Sequence, residues 1–474
     1  MDTFEGLLQN WRSACSCNSV FDKVRDLSYG IVNCAGKSTV TGFITGAGKQ
    51  FSDWSSFYRL FSNKRIQMDE VNKSVLNQGI ECSPPSDHIV IHVDDTIVRK
   101  RGKKVAGTAW RRDPLGPPFH VNFVWAQRYL QLSLAVPDQN GNGSSRSIPI
   151  AFKHCPTPSK PKKDASEKEI KQFKEQQKQM RLNKVGADCI AEVRKNLNEN
   201  GHSEKKMITC VDGSYTNGTV LKSLPENTIL IGRIRKDAKF YLPAKEQKSK
   251  GRRKIYGEQQ PTPEQIRQSD KIPWQKVNAY AAGKKHDFEI KKVSGLLWKK
   301  AGKDMKITVI VIRPLAYRLS KSSKTLYRKP AYLICTDDKL ELQKIIQYYL
   351  WRWEVEVNIG EEKSIFGVGK AHVRSPESVE TLPAFVTAVY ATLNLAQIKS
   401  QLGKESSLPR PKWYPHKQGK RITTGDLLQN IKAQIYCKAI GMNFNHFVKM
   451  QNKVRSGQNP INSPIYSYFY TRAS

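Results

Sequence analysis

The sequence predicts an α/β core, split by a β-rich insertion and flanked by helical regions at both ends. Three observations carry this prediction. Two short β-branched runs, "HIVIHVDD" and "KKMITCVDG", read as buried strands that end on acids. Further strands and a long helical stretch alternate around them, the pattern of an α/β sheet. From about residue 236 the texture changes to Lys, Gly and Pro, followed by period-two runs.

Taken in order, residues 1–80 read as helical. "KVRDLSYGIV", "SDWSSFYRLFS" and "DEVNKSVLNQGI" space apolar residues at helical intervals, with turns such as "GAGKQFSD" between them. Such a segment suits either a DNA-end-binding unit with a helix-turn-helix or a cap packed on the next domain. After the breaker "SPPSD", residues 85–235 give the strand "HIVIHVDD", then "HVNFVWAQ" and "YLQLSLAVP" as two strands, then "SIPIAFKH". The charged stretch from Ser159 to Val185 reads as a loop followed by a solvated helix. "KKMITCVDG" and "NTILIGRIRK" add strands. Residues 236–328 read as an inserted antiparallel β unit, with "DFEIKKVSGLLW" and "MKITVIVIRP" as its alternating segments. Residues 329–402 return to the core with a long helical stretch from near Leu340, and residues 403–474 form a C-terminal helical region for dimerisation or DNA contact.

Composition narrows the partners. Lys and Arg number 79 against 42 Asp and Glu, a formal charge of +37. Such a surplus repels itself unless a polyanion neutralises it, and nucleic acid is the first candidate. A membrane partner is not expected, since no uninterrupted apolar run near the required 20 or so residues stands out. The N-terminus, "MDTFEGLLQNWRSACSCNS", does not read as a signal peptide. Nine scattered cysteines suit reduced thiols in a cytoplasm and predict neither structural zinc nor a disulfide framework.

The chemistry concentrates in "YYLWRWEVEVNIGEEKSIFG". On a helix, Tyr349, Arg352, Glu356 and Lys363 fall in one narrow sector with Trp353 at its edge. One carboxylate is thereby flanked by two cations and an aromatic hydroxyl, suited to a metal ligand held between phosphate-binding groups. Acids at two strand ends and a third on this helix can hold two Mg²⁺ ions. Glu354, Glu361 and Glu362 fall on other faces and read as solvated pairs.

Tyr349-x2-Arg352-x3-Glu356-x6-Lys363 resembles, at every spacing, the Tyr-Arg-Glu-Lys signature of bacterial insertion-sequence DDE transposases. "VDDT" is similar to that family's first aspartate strand, and "CVDGSY" to its second. The resemblance covers about residues 88–400 and implies an RNase H-like core kin to retroviral integrases. It implies Asp94, Asp212 and Glu356 as catalytic metal ligands, with Asp95 in reserve because neighbours on a strand point to opposite sides. It also implies Mg²⁺, with Mn²⁺ as substitute, and cut-and-paste transposition of double-stranded DNA through a hairpin on the transposon end. A homodimer would pair two such ends. Tyr349, Arg352, Trp353 and Lys363 would contact DNA, and Trp298, or else Trp274, would hold a flipped base. A transposase-derived DNA-binding protein that no longer cuts, or an RNase H-like nuclease, are the other readings.

Overall fold

The computed structural model describes residues 1–474 except 114–115, 118, 139–142, 245–252, 303–304, 319, 321, 402–406, 412–421, 456–468 and 470–474. Five helices lead the chain: α1 (Asp2–Gln9), α2 (Asn18–Val32), α3 (Val40–Gly46), α4 (Ser55–Ser62) and α5 (Met68–Glu81). The core begins with β1 (His88–Arg99), β2 (Ala109–Arg112), β3 (Phe123–Pro137) and β4 (Ser145–His154). It continues with α6 (Glu167–Gln179), α7 (Leu182–Glu199), β5 (Lys206–Val211), α8 (Gly218–Lys222) and β6 (Thr228–Arg233). The insertion supplies β7 (Tyr241–Pro243), β8 (Tyr256–Gln259), α9 (Pro263–Gln268), β9 (Gln275–Ala281), β10 (Lys284–Leu297) and β11 (Lys306–Ile312). A small pair, β12 (Ala316–Tyr317) and β13 (Leu326–Tyr327), precedes β14 (Ala331–Cys335). The chain closes with α10 (Leu342–Trp351), α11 (Trp353–Ser364), α12 (Pro376–Gln401), α13 (Thr424–Ala439) and α14 (Phe444–Arg455).

All strands but β12 and β13 join one 12-stranded mixed sheet, ordered β2-β3-β1-β5-β6-β14-β11-β10-β7-β8, with β4 on β3 and β9 on β10. β1, β5 and β6 run parallel, while β3 pairs antiparallel with both β1 and β4. The expected α/β class holds, with an RNase H-like core and helical flanks. β14, the first strand of the returning core, pairs with β6, and the insertion's β11 and β10 continue that sheet edge to edge. "HVNFVWAQ" and "YLQLSLAVP" are one strand, β3, since Arg128 between them is no breaker and lies opposite Ile97 of β1. Pro149 in β4 is tolerated because β4 is an edge strand and its ladder shifts register there.

The helix α12 is the spine. It is long and apolar enough by composition to cross a membrane, and 89% of its apolar stretch is buried inside the fold. Its Phe385 receives Trp11 of the N-terminal segment and Phe61 of α4, at ring separations of 6.1 and 5.6 Å. The N-terminal helices thus share one hydrophobic core with α12 and the sheet. α13 and α14 form a smaller cluster around Ala433, Cys437 and Phe447.

The opposite face of the sheet is covered by α10. Ile345, Ile346 and Trp351 pack there on Val90, Ile208, Cys210 and Ile231. Where β1 and β5 pair, even-numbered residues such as Val90, Ile208 and Cys210 therefore face α10, and odd-numbered ones such as Ile91, Val93, Met207 and Val211 face the main core.

Candidate active site

The sheet positions the acids by register. The parallel ladder between β1 and β5 ends at Val93 opposite Val211, so the next residues in step are Asp94 and Asp212. Both follow the parity of the residues facing α10. Adjacent parallel strands lie about 4.8 Å apart, so two carboxylates emerge side by side where the ladder stops. Asp212 is also fixed by the turn after β5. Its Oδ1 accepts from the backbone N–H of Ser214 at 2.9 Å and of Tyr215 at 3.3 Å, and its Oδ2 accepts from the Ser214 hydroxyl at 3.1 Å.

The third acid arrives on a broken helix. α10 and α11 are not continuous: the Arg352 N–H bonds Tyr349 O and the Val355 N–H bonds Arg352 O, both three residues back. This tightened turn swings α11 across the end of β1 and brings Tyr349, Arg352, Glu356 and Lys363 into one cleft with Asp94, Asp95 and Asp212. The cleft has a volume of about 1880 Å³ and is walled on one side by the segment from Val368 to Arg374. That wall lies tight on β1: Gly369, at φ +82°, leaves no space for a Cβ, which would fall 2.2 Å from Val98 Cγ1.

Arg352 is the hub. Its Nη1 donates to Asp94 Oδ2 at 2.9 Å and its Nη2 to Glu356 Oε1 at 2.9 Å. Its guanidinium lies 5.8 Å from the Tyr349 ring centroid. Burial alone would lower its affinity for the proton, but Tyr349, Asp94 and Glu356 more than offset this and hold it charged. Burial pushes Asp94 up to about 6; Arg352 pulls against the rise and the neighbouring Asp212 charge adds to it. Lys363 donates to Thr96 Oγ1 at 2.5 Å, and burial lowers its pKa. Beneath the site, His92 is fully buried against Tyr348 O at 3.3 Å, and burial then Arg352 lower its pKa to about 3, so it is neutral.

Asp95 points the other way. Its Oδ1 accepts from the Tyr215 hydroxyl at 3.1 Å and its Oδ2 lies 3.4 Å from Arg128 Nε. Burial raises its pKa, and Arg128 and Tyr215 counter that rise. Asp94, not Asp95, therefore shares a face with Asp212 and Glu356.

Other residues singled out from the sequence land elsewhere. Trp298 is 6% exposed, packs on Phe240 at 5.7 Å and does not line the cleft. It is a core aromatic, set just past the end of β10 in the main core with Leu296 and Ala301. Trp274 is partly buried, with Lys291 and Arg313 over its ring, and does not line the cleft either. Trp353 is 63% exposed beside the site. Glu361 and Glu362 are not solvated. Glu361 accepts from the hydroxyls of Tyr390 and Thr424 at 2.6 Å each, and Glu362 is buried with its pKa raised by that burial. They anchor α11 to α12, α13 and the sheet, a role that helical spacing alone did not reveal. Gly360 does not break α11, and its missing side chain faces open space in the cleft.

The donor set of Asp94, Asp212 and Glu356 consists of hard oxygens suited to Mg²⁺. A buried carboxylate beside a like charge is a site in want of a cation. Among the described residues no three acids, histidines or cysteines already converge at metal-binding distance. The Arg352 guanidinium instead stands between Asp94 and Glu356, as the cation that satisfies both.

Carboxylates at parallel strand ends, facing a helix with a basic face, define a transposase- or nuclease-type enzyme acting on phosphodiesters. The chain belongs to the DDE superfamily endonuclease family, whose model matches residues 20–295. The matched span contains Asp94, Asp95 and Asp212 and ends before Glu356. Comparison with curated proteins finds none that matches. The family implies DNA as substrate and typically uses divalent metals.

Proposed function

We propose that this protein is a DNA transposase that excises and inserts an insertion sequence by cut-and-paste, through phosphodiester hydrolysis and strand transfer. The reading rests on one observation: Asp94, Asp212 and Glu356, from two strands and a helix, line one cleft with Arg352, Tyr349 and Lys363. Asp94, Asp212 and Glu356 would hold Mg²⁺ or Mn²⁺, which supplies Lewis-acid activation of the attacking oxygen and the leaving oxygen. Arg352 holds Asp94 and Glu356 in place through its two guanidinium bonds, and its fork would suit two oxygens of a phosphate. Lys363 presents a point charge from the next turns of α11, and Tyr349 supports the arginine. A homodimer pairing two transposon ends and a hairpin on the released end belong to the same proposal.

The test uses the gene with a few hundred flanking base pairs on a supercoiled plasmid, incubated with protein and Mg²⁺ or Mn²⁺, beside Glu356→Gln. Cuts at two inverted ends that vanish in the variant are expected, with a doubled-length single strand on a denaturing gel marking the hairpin. DNA binding without cleavage by the unaltered protein would sink the proposal in favour of a DNA-binding role. Cleavage that persists in Glu356→Gln would remove the site assignment.

A further inference from the structure

One surface stands out beyond the cleft. β2 is an edge strand paired only with β3, with Trp110 opposite Trp125 and Arg112 opposite Phe123. Residues opposite each other in an antiparallel pair, and residues two apart on a strand, project from the same side. Trp110, Arg112, Phe123 and Trp125 therefore share one face of this ribbon. Following β3 inward, the same parity reaches Gln131, the register partner of Asp94. The aromatic face and the acids thus lie on one side of the sheet. Trp125 and Gln131 are six residues apart, about 20 Å along the strand, or roughly six base pairs of duplex.

The apolar groups on this face are left in solvent. Trp110 is 68% exposed and Phe123 55% exposed. Trp125 is anchored, its indole N–H donating to Gly102 O at 3.1 Å, and Trp110 leans on it edge to face at 5.6 Å. No helix or strand covers the outer Trp110 ring among the described residues. Large exposed aromatics grouped in this way mark a contact surface.

Charge identifies the partner. Between Arg99 and Trp125 the sequence has one acid, Asp113, and that acid is held by Arg99 at 2.6 Å. Arg101, Lys103, Lys104 and Arg112 are exposed with no ion-pair partner among the described residues. Arg99, Arg101 and Arg112 line the mouth of the cleft, so ribbon and cleft form one basic surface. A symmetric contact with a second copy would set these cations against their own kind. A polyanion with flat apolar faces fits both features.

We propose that this ribbon face is a stacking platform for DNA leaving the cleft: unpaired or distorted bases lie on Trp110 and Phe123, and Arg101 and Arg112 hold the adjoining phosphates. The proposal rests on the DNA reading given above and adds to it a preference for unstacked DNA about half a helical turn from the acids.

The test compares a 30-base-pair duplex with the same duplex carrying a three-nucleotide mismatch bubble that contains 2-aminopurine. Full-length protein, Trp110→Ala/Phe123→Ala and the conservative Trp110→Phe are titrated by fluorescence anisotropy and 2-aminopurine emission. Base–aromatic stacking predicts that the double variant binds the bubble about 5- to 100-fold more weakly and loses the 2-aminopurine quench. Trp110→Phe should keep most of both, and thermal melts should match because the two side chains are exposed. Equal bubble binding by the protein and its double variant overturns the platform while leaving the transposase reading intact. No binding of either DNA by the unaltered protein removes that reading and the platform with it. A double variant that changes only the sedimentation behaviour, not bubble affinity, assigns the patch to protein contact and overturns the proposal.

Discussion

Replacing Asp94 by Asn should stabilise the metal-free protein while abolishing cleavage. The Asp94 side chain is 18% exposed, and burial raises its pKa from 3.8 to about 6 despite the Arg352 ion pair. An acid that is harder to ionise in the folded state binds protons there that the unfolded chain has already released. Its favourable contribution is complete below pH 3.8 and is lost as the pH rises to about 6. At pH 7 the ionised group thus costs the fold about 3 kcal/mol relative to its protonated form. Asn copies the protonated form but deprives Arg352 of one charged partner, so a gain of about 1 to 3 kcal/mol is expected. For a chain of this length that is a rise of roughly 1 to 3 °C in melting temperature. The assay is thermal unfolding in EDTA from pH 4 to 8, with plasmid cleavage run in parallel. The unaltered protein should lose stability between pH 4 and 6 relative to the variant, and the curves should run parallel above that range. A variant less stable at pH 7, or one that still cleaves, refutes the assignment of Asp94 as the strained acid of the site.

Other substitutions separate structural from chemical roles. Tyr215→Phe removes the hydroxyl that holds Asp95 and should cost about 1 to 3 kcal/mol of stability, read by urea unfolding, with cleavage retained in the fraction that folds. Trp298→Ala should cost about 3 to 5 kcal/mol in the same assay; a variant of normal stability that fails only at hairpin formation would restore that tryptophan to the DNA. Gly360→Ala adds a Cβ that meets nothing within 4 Å, so α11 should gain close to the ~1 kcal/mol separating Gly from Ala in a helix. A loss of stability there would mean the helix is not packed as described.

The sequence by itself determined much of the site. The two β-branched runs ending on acids and the Tyr349–Lys363 spacing singled out Asp94, Asp212, Tyr349, Arg352, Glu356 and Lys363, which line one cleft, but not Arg99, Arg101, Arg112 or the wall from Val368 to Arg374. Those signals are local: alternation places a strand, and helical spacing places side chains on one sector. Three matters needed the tertiary structure. Asp94 and Asp95 are equivalent in a one-dimensional pattern, and only the ladder that ends at Val93 and Val211 decides which one faces Asp212. The insertion reads as an antiparallel β unit from its own alternation, but that it joins the core sheet through β11 on β14, which covers the edge of β6, depends on pairing distant in sequence. Glu361 and Glu362 look solvated because charge usually is. They are buried because α11 lies between the sheet and α12, where Tyr390 and Thr424 supply hydroxyls to Glu361. Periodicity reports which face a residue takes on its own element; what lies against that face is fixed by contacts distant in sequence.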